Sequence, residues 1–291
     1  MNSKIGFIGT GVMGASMASH LQNAGHQLFV HNRTASKAQA LVNAGATFCG
    51  TPREVAENAT TTFLIVGYPQ DVESTILGEN GALAGAKPGS TIVDMTTSQP
   101  SLAKRIYEAA KAKGVDSLDA PVSGGDIGAR NATLAIMAGG DEEAFNRTLP
   151  FFETMGKTIA YFGPAGSGQH AKMANQILVA GNMIGAVESL LYANRAKLDL
   201  EKVIQTIGSG AAASWTINNL GPRIVKGDFQ PGFYIKHFVK DMGIALEEAR
   251  QMQLCLPGLA LANQFYQAAI AQGLENLGTQ GLYKVLDMLS S

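Results

Sequence analysis

Short apolar runs alternate with helical patterns through the first half of the chain. Gly, Pro and polar residues end the runs, and the segments between them, such as 101–113, repeat apolar residues every three or four positions. This alternation predicts an α/β fold with a mostly parallel sheet and helices on both of its faces. The predicted strands are residues 4–9, 27–32, 62–68, 90–96, 116–122, 133–140 and 158–163.

The strand pattern ends at Gly163, and only helical patterns follow it. Gly or Pro interrupts these patterns at residues 208–210, 227–232 and 257–258. A chain of 291 residues is also longer than a typical single domain. We therefore predict two domains, an α/β domain over residues 1–164 and an all-α domain over residues 165–291.

Composition argues against several classes of protein. The net charge is −1, so no broad basic field exists to hold nucleic acid. Cys49 and Cys255 form no CxxC pair, which argues against a disulfide framework or a structural zinc site and fits a reducing cytosol. Polar residues interrupt the apolar run after Ala171, so we expect no membrane span there. The first strand begins by Lys4, so we expect no signal peptide. The expected location is the cytoplasm.

A glycine-rich loop follows the first predicted strand. Gly9, Gly11 and Gly14 form a G-x-G-x-x-G pattern between that strand and a helical segment. In such loops the first glycine permits a tight turn, the second lets the backbone approach a pyrophosphate, and the third lets helix and strand pack closely. With a second strand at the expected distance, the pattern predicts a Rossmann dinucleotide-binding domain. Its cofactor-binding loop would comprise Gly9, Thr10, Gly11, Val12, Met13 and Gly14.

The end of the second predicted strand bears on which dinucleotide is bound. An NAD site usually has Asp or Glu there, hydrogen-bonded to the ribose 2′-hydroxyl. This chain has Asn32, Arg33 and Thr34 instead, and Arg33 can pair with a 2′-phosphate through two N–H groups. We predict that NADP(H) is preferred and that NAD(H) is possible.

Three loops are predicted at the carboxyl edge of the sheet, where ligands bind in open α/β folds. Ser123, Gly124 and Gly125 form one of them, and their hydroxyl and backbone N–H groups can hold an anion such as a carboxylate. A plain β-turn is the alternative. The loops after two other strands contribute Tyr68, Pro69 and Thr96.

A polar stripe runs along the apolar helix predicted after Gly166. Lys172, Asn175 and Asn182 fall on one narrow arc of that helix, at about 100° per residue. A solvated face is the simplest explanation. A cation and two amides on one stripe also suit a binding site.

Four ordered segments resemble the β-hydroxyacid dehydrogenase family, which includes 3-hydroxyisobutyrate dehydrogenase and tartronate semialdehyde reductase. They are GFIGTGVMGASMASHL (6–21), DAPVSGG (119–125), GSGQHAKMANQ (166–176) and KDMGIALEEA (240–249), and together they extend over essentially the whole chain. The resemblance implies a Rossmann domain, a long interdomain helix, here 167–195, and an all-α C-terminal domain. It also implies a homodimer or homotetramer.

The resemblance implies roles for individual residues as well. Lys172 matches the family's catalytic lysine, and Asn175 matches its substrate-binding asparagine. Lys240 matches a lysine near the nicotinamide and the substrate, and Thr96 matches a residue that contacts the cofactor. The loop that binds the substrate carboxylate is matched by Ser123, Gly124 and Gly125.

Two positions depart from the family's pattern. Ala132 stands where many members have glycine, and Gln176 stands where many have a second asparagine. Both departures concern the identity of the substrate more than the class of reaction.

The predicted activity is the interconversion of a small 3-hydroxy acid and its semialdehyde with NADP(H) and without a metal. Lys172 exchanges a proton with the substrate hydroxyl, and Asn175 fixes its direction. A lysine in a partly desolvated cleft can titrate below its free value, which suits this role. His170 is a rival acid–base group because histidine titrates near neutrality, but it points to a different face of the helix.

Other functions are open from the sequence alone. Enzymes of this fold also act on succinic semialdehyde, glyoxylate or serine, and imine reductases share it but usually lack the lysine. A non-catalytic dinucleotide-binding sensor or scaffold is a further alternative. The intact Lys172 and the intact loop from Gly9 to Gly14 argue against that alternative.

Overall fold

A computed structural model describes residues 2–290, and these form two compact units. One unit extends to Lys172, and the other begins at Met173. The first is an α/β unit and the second is helical, so the predicted fold class is confirmed.

The α/β unit contains a sheet of nine strands among the described residues. Every predicted strand is present, although several are shorter than expected. The two-residue strands β3 and β7 were not predicted as separate strands. The strands are β1 (Lys4–Ile8), β2 (Gln27–His31), β3 (Thr47–Phe48), β4 (Thr61–Leu64), β5 (Thr91–Asp94), β6 (Asp116–Asp119), β7 (Val122–Ser123), β8 (Leu134–Gly140) and β9 (Gly156–Tyr161).

The strand order is that of a dinucleotide-binding sheet. It reads β3-β2-β1-β4-β5-β6-β8-β7, with β9 paired to β8, and all neighbours from β3 to β6 are parallel. The order reverses between β1 and β4, and the crevice at the carboxyl ends of these strands is where ligands bind in such folds. The glycine loop predicted to bind the cofactor follows β1 directly.

Helices cover both faces of this sheet. Phe7 and Phe63 contribute to one apolar core and stack with ring centroids 6.3 Å apart. Ile8 and Leu64, one residue further along each strand, contribute to the other core, since successive strand residues point to opposite faces. The helices of the unit are α1 (Gly14–Asn23), α2 (Gln39–Asn43), α3 (Pro52–Asn58), α4 (Pro69–Leu77), α5 (Ala82–Gly85), α6 (Pro100–Lys111), α7 (Gly125–Arg130) and α8 (Glu142–Glu153).

The strand predicted over residues 116–122 is divided into β6 and β7. Pro121 lies at the break, and proline has no N–H to donate to a strand ladder. Both parts nevertheless pair with β8 in one antiparallel register, with Leu118 opposite Gly140 and Val122 opposite Ile136. The loop that begins at Ser123 therefore follows β7, which pairs only with the antiparallel neighbour β8, whereas β6 is also paired in parallel with β5. β7 continues β6 in direction, so the loop still lies beyond the carboxyl end of β6.

The second unit contains only helices and one isolated bridge among its described residues. Its core includes Met183, Phe238 and Tyr266, all fully buried, and the last two rings are 5.0 Å apart. Its α-helices are the longer part of α9 (Ser167–Arg195), followed by α10 (Leu200–Ile207), α11 (Gly221–Val225), α12 (Ile235–Gln251), α13 (Pro257–Ala271) and α14 (Leu282–Leu289).

By length and composition alone, α9 could cross a membrane. Core helices of proteins that enter no membrane meet the same criterion. Ala180, Met183, Val187 and Leu190 lie three or four residues apart on α9 and are fully buried in the helical core. This packing accounts for the apolar character of the helix.

Candidate active site

The glycine loop after β1 has the geometry of a dinucleotide site. Gly9 has φ of +92°, and a Cβ there would lie 2.1 Å from the carbonyl oxygen of Ile65. A Cβ on Gly14 would lie 1.9 Å from the carbonyl oxygen of Gly9. On Gly11 a Cβ would meet no described atom within 4 Å, so this residue leaves open space beside the backbone. The two outer glycines are thus required by packing, and the middle one leaves room for a pyrophosphate.

Asn32 holds this loop in place. Its Oδ1 accepts a 2.9 Å hydrogen bond from the backbone N–H of Thr10, and its Nδ2 donates to the carbonyl oxygen of Thr34. Sequence reasoning considered Asn32 only for its missing charge and did not find this contact. The buried Oγ1 of Thr10 has no hydrogen-bond partner among residues 2–290. A buried hydroxyl without a protein partner in this loop fits a phosphate-bearing ligand. Of the other predicted loop residues, Val12 is exposed and Met13 packs against the core.

Arg33 lies near the loop after β4. Its Nη1 is 3.4 Å from Oδ1 of Asp71, in the first turn of α4, and its side chain is 89% exposed. Asp71 also accepts the backbone N–H of Tyr68, which precedes Pro69 at the start of that helix. The structure therefore brings together two predicted cofactor-binding segments through an aspartate that the sequence did not indicate.

Thr96 joins the loops after β4 and β5. It is buried, and its Oγ1 accepts a 3.0 Å hydrogen bond from the backbone N–H of Val66. Its own N–H donates to Oδ1 of Asp94. The predicted contact between Thr96 and the cofactor stays a prediction, and the observed contacts give this residue a role in shaping the carboxyl edge of the sheet.

Gln169 ties the start of α9 to that edge. It is fully buried, its Nε2 donates to the carbonyl oxygen of Thr96 at 2.7 Å, and its Oε1 accepts the N–H of Ser98 at 2.9 Å. Sequence reasoning did not single out this residue, although it lies inside the GSGQHAKMANQ segment. Lys172 follows it by one helical turn and is only 5% exposed, whereas His170 is half-buried.

Asp119, at the end of β6, receives the first N–H groups of α9. Its Oδ1 accepts from Gly166 and its Oδ2 from Gln169, each at 2.8 Å. Burial raises the pKa of Asp119 to about 6, and the hydrogen bonds from these backbone N–H groups offset part of that rise. The carboxyl group satisfies helix donors that would otherwise have no partner.

The predicted carboxylate loop contains two consecutive residues in the left-handed region. Gly124 has φ of +130° and Gly125 has φ of +61°, conformations that side-chain-bearing residues rarely adopt. Ser123 ends β7 and is partly exposed. The chain thus presents a hydroxyl and two residues without side chains beyond the carboxyl end of β6, which suits an anionic group.

Four polar residues of the helical unit form a continuous chain of contacts. Asn175 Nδ2 donates to Gln176 Oε1 at 2.7 Å, and Gln176 Nε2 donates to Asp241 Oδ2 at 2.6 Å. The other oxygen of Asp241 lies 3.0 Å from Nζ of Lys240. Two predicted substrate-binding residues, Asn175 and Lys240, are therefore joined by a glutamine and an aspartate. Neither of these two was a predicted site residue.

Comparisons with known proteins agree with this architecture. Residues 4–163 match the family described as the NAD binding domain of 6-phosphogluconate dehydrogenase. Residues 166–286 match the family described as NAD-binding of NADP-dependent 3-hydroxyisobutyrate dehydrogenase.

Individual relatives extend over nearly the same length. The probable mitochondrial 3-hydroxyisobutyrate dehydrogenase-like protein 1 of Arabidopsis thaliana is 52% identical, over 100% of this chain and 87% of the relative. The 2-hydroxy-3-oxopropionate reductase of Escherichia coli K12 is 41% identical, over 99% of this chain and 98% of the relative. The structure of Mycobacterium tuberculosis 3-hydroxyisobutyrate dehydrogenase with L-serine is 28% identical, with a TM-score of 0.89, over 98% of this chain and 99% of the other.

The fold and the glycine loop define an oxidoreductase that binds a nicotinamide dinucleotide. The chain belongs to the β-hydroxyacid dehydrogenase family, whose members are NAD(P)-dependent hydroxyacid dehydrogenases. The predicted family and the predicted enzyme class are thereby confirmed, and a non-catalytic scaffold is set aside.

Proposed function

We propose that this enzyme interconverts a small 3-hydroxy acid and its semialdehyde with NADP(H) and that Lys172 is its acid–base group. The setting of Lys172 carries the proposal. Its side chain is buried one helical turn beyond Gln169, in a segment tied to the carboxyl ends of β5 and β6. The carboxyl edge is where ligands bind in this class of fold. A lysine that is shielded from water there can give and take a proton.

The bound dinucleotide supplies or accepts the hydride. In reduction, Lys172 stabilises the negative charge that develops on the carbonyl oxygen and then protonates it. In oxidation, Lys172 accepts the proton of the hydroxyl. Ser123, Gly124 and Gly125 hold the carboxylate through the serine hydroxyl and backbone N–H groups, and Asn175 and Lys240 contact the substrate.

A preference for NADP(H) over NAD(H) belongs to the same proposal. Asn32 carries no charge to repel a 2′-phosphate, and Arg33 is exposed beside it. Thr34 follows Arg33 directly, and its hydroxyl is a further hydrogen-bond donor for a 2′-phosphate. The relatives' names support a small hydroxy or oxo acid as substrate, and the L-serine that accompanies the mycobacterial enzyme keeps serine as a second candidate.

A quantitative test is the substitution Lys172→Ala. NADPH binding, followed by fluorescence, should be retained, while kcat should fall roughly 10²- to 10⁴-fold, the usual contribution of general acid–base catalysis. Lys172→Arg should not restore activity, because guanidinium does not release its proton near neutral pH. In the wild type, kcat/KM for alcohol oxidation should rise with deprotonation of one group, and this limb should vanish in the alanine variant.

His170→Ala is the matched comparison, since His170 lies on the same helix and was the rival candidate. It should keep most of the activity. A folded Lys172→Ala enzyme with near-normal turnover would contradict the proposal, and loss of activity in His170→Ala alone would move the acid–base role to the histidine.

We further propose that the enzyme acts in the cytoplasm as a homodimer or homotetramer, with no nucleic acid or membrane partner. Leu178 and Tyr192 of α9 are 65% and 77% exposed, and Gly181 and Gly185 lie between them on the same face of the helix. A second copy would cover this apolar face. Light scattering of the purified protein tests the subunit count, and a monomer would contradict it.

A further inference from the structure

His20, in α1, contacts the last turn of α7. Its Nε2 lies 2.9 Å from the carbonyl oxygen of Ala129 and 3.1 Å from that of Arg130. Carbonyl oxygens only accept hydrogen bonds, so Nε2 carries the proton and His20 is the donor. The last carbonyl groups of a helix have no partner within the helix, and the imidazole supplies one to both of these.

The helix α7 and the loop predicted to bind the substrate carboxylate form one piece of structure. The helix has only six residues, and the first of them, Gly125, is the last residue of that loop. The N–H of Gly128 donates to the carbonyl oxygen of Gly124 at 2.9 Å, so the first helical turn closes onto the loop itself. A displacement of α7 would therefore displace the backbone N–H groups of the loop.

A helix as short as α7 depends on its surroundings for its position. Isolated helices shorter than about 12–15 residues are marginal in water. The ion pair between Asp126 and Arg130 joins residues of the same helix, so it does not fix where the helix lies. The buried residues of α7, Gly128 and Ala129, have little or no side chain to pack. The hydrogen bonds from His20 attach the end of α7 to a neighbouring element.

That neighbouring element, α1, is firmly packed. Met17, Ala18 and Leu21 of this helix are fully buried in the apolar core of the α/β unit. Its first residue, Gly14, ends the glycine loop that is predicted to bind the cofactor. One buried helix is thus joined to both predicted binding loops, to the cofactor loop through the chain and to the carboxylate loop through His20 and α7.

We propose that His20 is a positioning residue for the carboxylate loop, residues 123–125. It holds α7 against α1 and thereby keeps Ser123 and the backbone N–H groups of the loop where the substrate carboxylate binds. This inference rests on the proposed function, in which that loop receives the carboxylate. In this role His20 does not touch the substrate, and it acts on substrate affinity rather than on proton transfer by Lys172.

The test removes the donor and then restores it, with 3-hydroxyisobutyrate as substrate, or glycerate if the wild type oxidises that acid faster with NADP⁺. His20→Leu is of similar size but has no polar atom, so KM for the acid should rise roughly two- to tenfold, the size of one neutral hydrogen bond. The kcat should change by less than about twofold, because the same binding contribution is lost before and in the transition state. His20→Gln carries an NH₂ group at the same number of bonds from Cβ and should return KM to within about twofold of the wild-type value.

Gln22→Leu is the matched control. Gln22 also lies on α1, and its Nε2 donates to the carbonyl oxygens of Leu41 and Ala44 at the end of α2. The substitution removes a contact of the same kind, but to a helix that does not follow the carboxylate loop. It should leave KM for the acid unchanged. Urea unfolding should show a similar small loss of stability in Gln22→Leu and His20→Leu, and NADPH fluorescence should show that His20→Leu still binds the cofactor.

The outcomes separate this inference from the proposed function. A wild type that oxidises no 3-hydroxy acid contradicts both. If Ser123→Ala leaves KM unchanged, the carboxylate binds elsewhere and the inference falls even though the enzyme class stands. If Ser123→Ala raises KM, the positioning role is overturned by an unchanged KM in His20→Leu, by an equal rise in Gln22→Leu, or by a rise that His20→Gln does not reverse. Should His20→Leu not fold, His20→Ala leaves room for water at the two carbonyl oxygens and applies the same test.

Discussion

Arg33 Nη1 lies 3.4 Å from Oδ1 of Asp71, so the arginine predicted to bind a 2′-phosphate already faces a carboxylate. The second oxygen of Asp71 accepts the N–H of Tyr68 at 3.2 Å and caps α4. The aspartate therefore has a structural reason to be there. Its charge also opposes the binding of any phosphate beside Arg33.

The first prediction follows from this pair. Asp71→Asn keeps an acceptor for Tyr68 but removes the negative charge, so KM for NADPH should fall about two- to fivefold, the size expected for an exposed pair. KM for NADH should change little, since NADH has no 2′-phosphate. The fall in KM for NADPH caused by Asp71→Asn should be smaller at high ionic strength, because salt screens exposed charges. Steady-state kinetics at two salt concentrations measures it.

Arg33→Ala provides the opposite case. It should raise KM for NADPH and leave KM for NADH nearly unchanged. The control is Arg53→Ala, which breaks an exposed ion pair with Glu57 on α3 and should change neither KM. If the wild type has a higher kcat/KM with NADH than with NADPH, the assignment of Arg33 to a 2′-phosphate is wrong.

The second prediction concerns the loop after β7. Ser123→Ala removes one donor to the substrate carboxylate, and a lost hydrogen bond to a charged group costs about 1.5–3 kcal/mol. KM for the acid should therefore rise by roughly 10- to 100-fold, while the affinity for NADPH stays the same. Ser101→Ala, at an exposed position in α6, is the control. Unchanged kinetics for every accepted acid would remove Ser123 from the site.

Much of this architecture could be predicted because it is encoded in local patterns. The strands and the glycine loop are determined by alternation and by backbone demands within a few residues, as the close approach of Gly14 to Gly9 shows. The contacts of Gln169 were not predictable, since Thr96 lies 73 residues away in sequence. The same holds for Asp71, which is 38 residues from Arg33. A single sequence does not reveal which distant residues a fold brings together.

Ala132 shows how a departure from the family's pattern acquires a physical meaning. It has φ of +52°, in the left-handed region. It follows the end of α7, where the N–H of Thr133 donates to the carbonyl oxygen of Gly128, the hydrogen bond of a Schellman motif. Glycine is usual at this position of the motif because it has no Cβ. The alanine is therefore a strained residue at a glycine position.

The third prediction is that Ala132→Gly stabilises the protein. Removing the left-handed strain of an L-residue gains roughly 1–2 kcal/mol, and the greater freedom of glycine in the unfolded chain takes back about 0.4–1 kcal/mol. The net gain should lie between zero and about 1.6 kcal/mol and be visible as a higher thermal midpoint. Ala112→Gly, also at a helix end but with φ of −60°, should lower the midpoint. A fall in both variants would show that Ala132 is not strained.

The last prediction concerns Asp119 and pH. Its pKa in the folded protein is about 6, above the ordinary value of 3.8, so the folded state holds a proton that the unfolded chain has released between these pH values. Stability falls with rising pH wherever the folded state binds more protons. The contribution of Asp119 to the free energy of unfolding is therefore most favourable below pH about 4. It is lost as pH rises through about 6, and the total loss is about 3 kcal/mol.

Other groups also titrate in this range, so the comparison is between the wild type and Asp119→Asn, which has no titrating proton. The variant should be less stable at every pH, because its NH₂ group faces one of the helix N–H donors, from Gly166 or Gln169. The difference in the free energy of unfolding between the wild type and the variant should shrink as pH rises from 4 to 7. Urea unfolding at fixed protein concentration and several pH values measures the deficit. A deficit that grows with pH would mean that the hydrogen bonds from α9 outweigh burial and that the pKa of Asp119 is lowered.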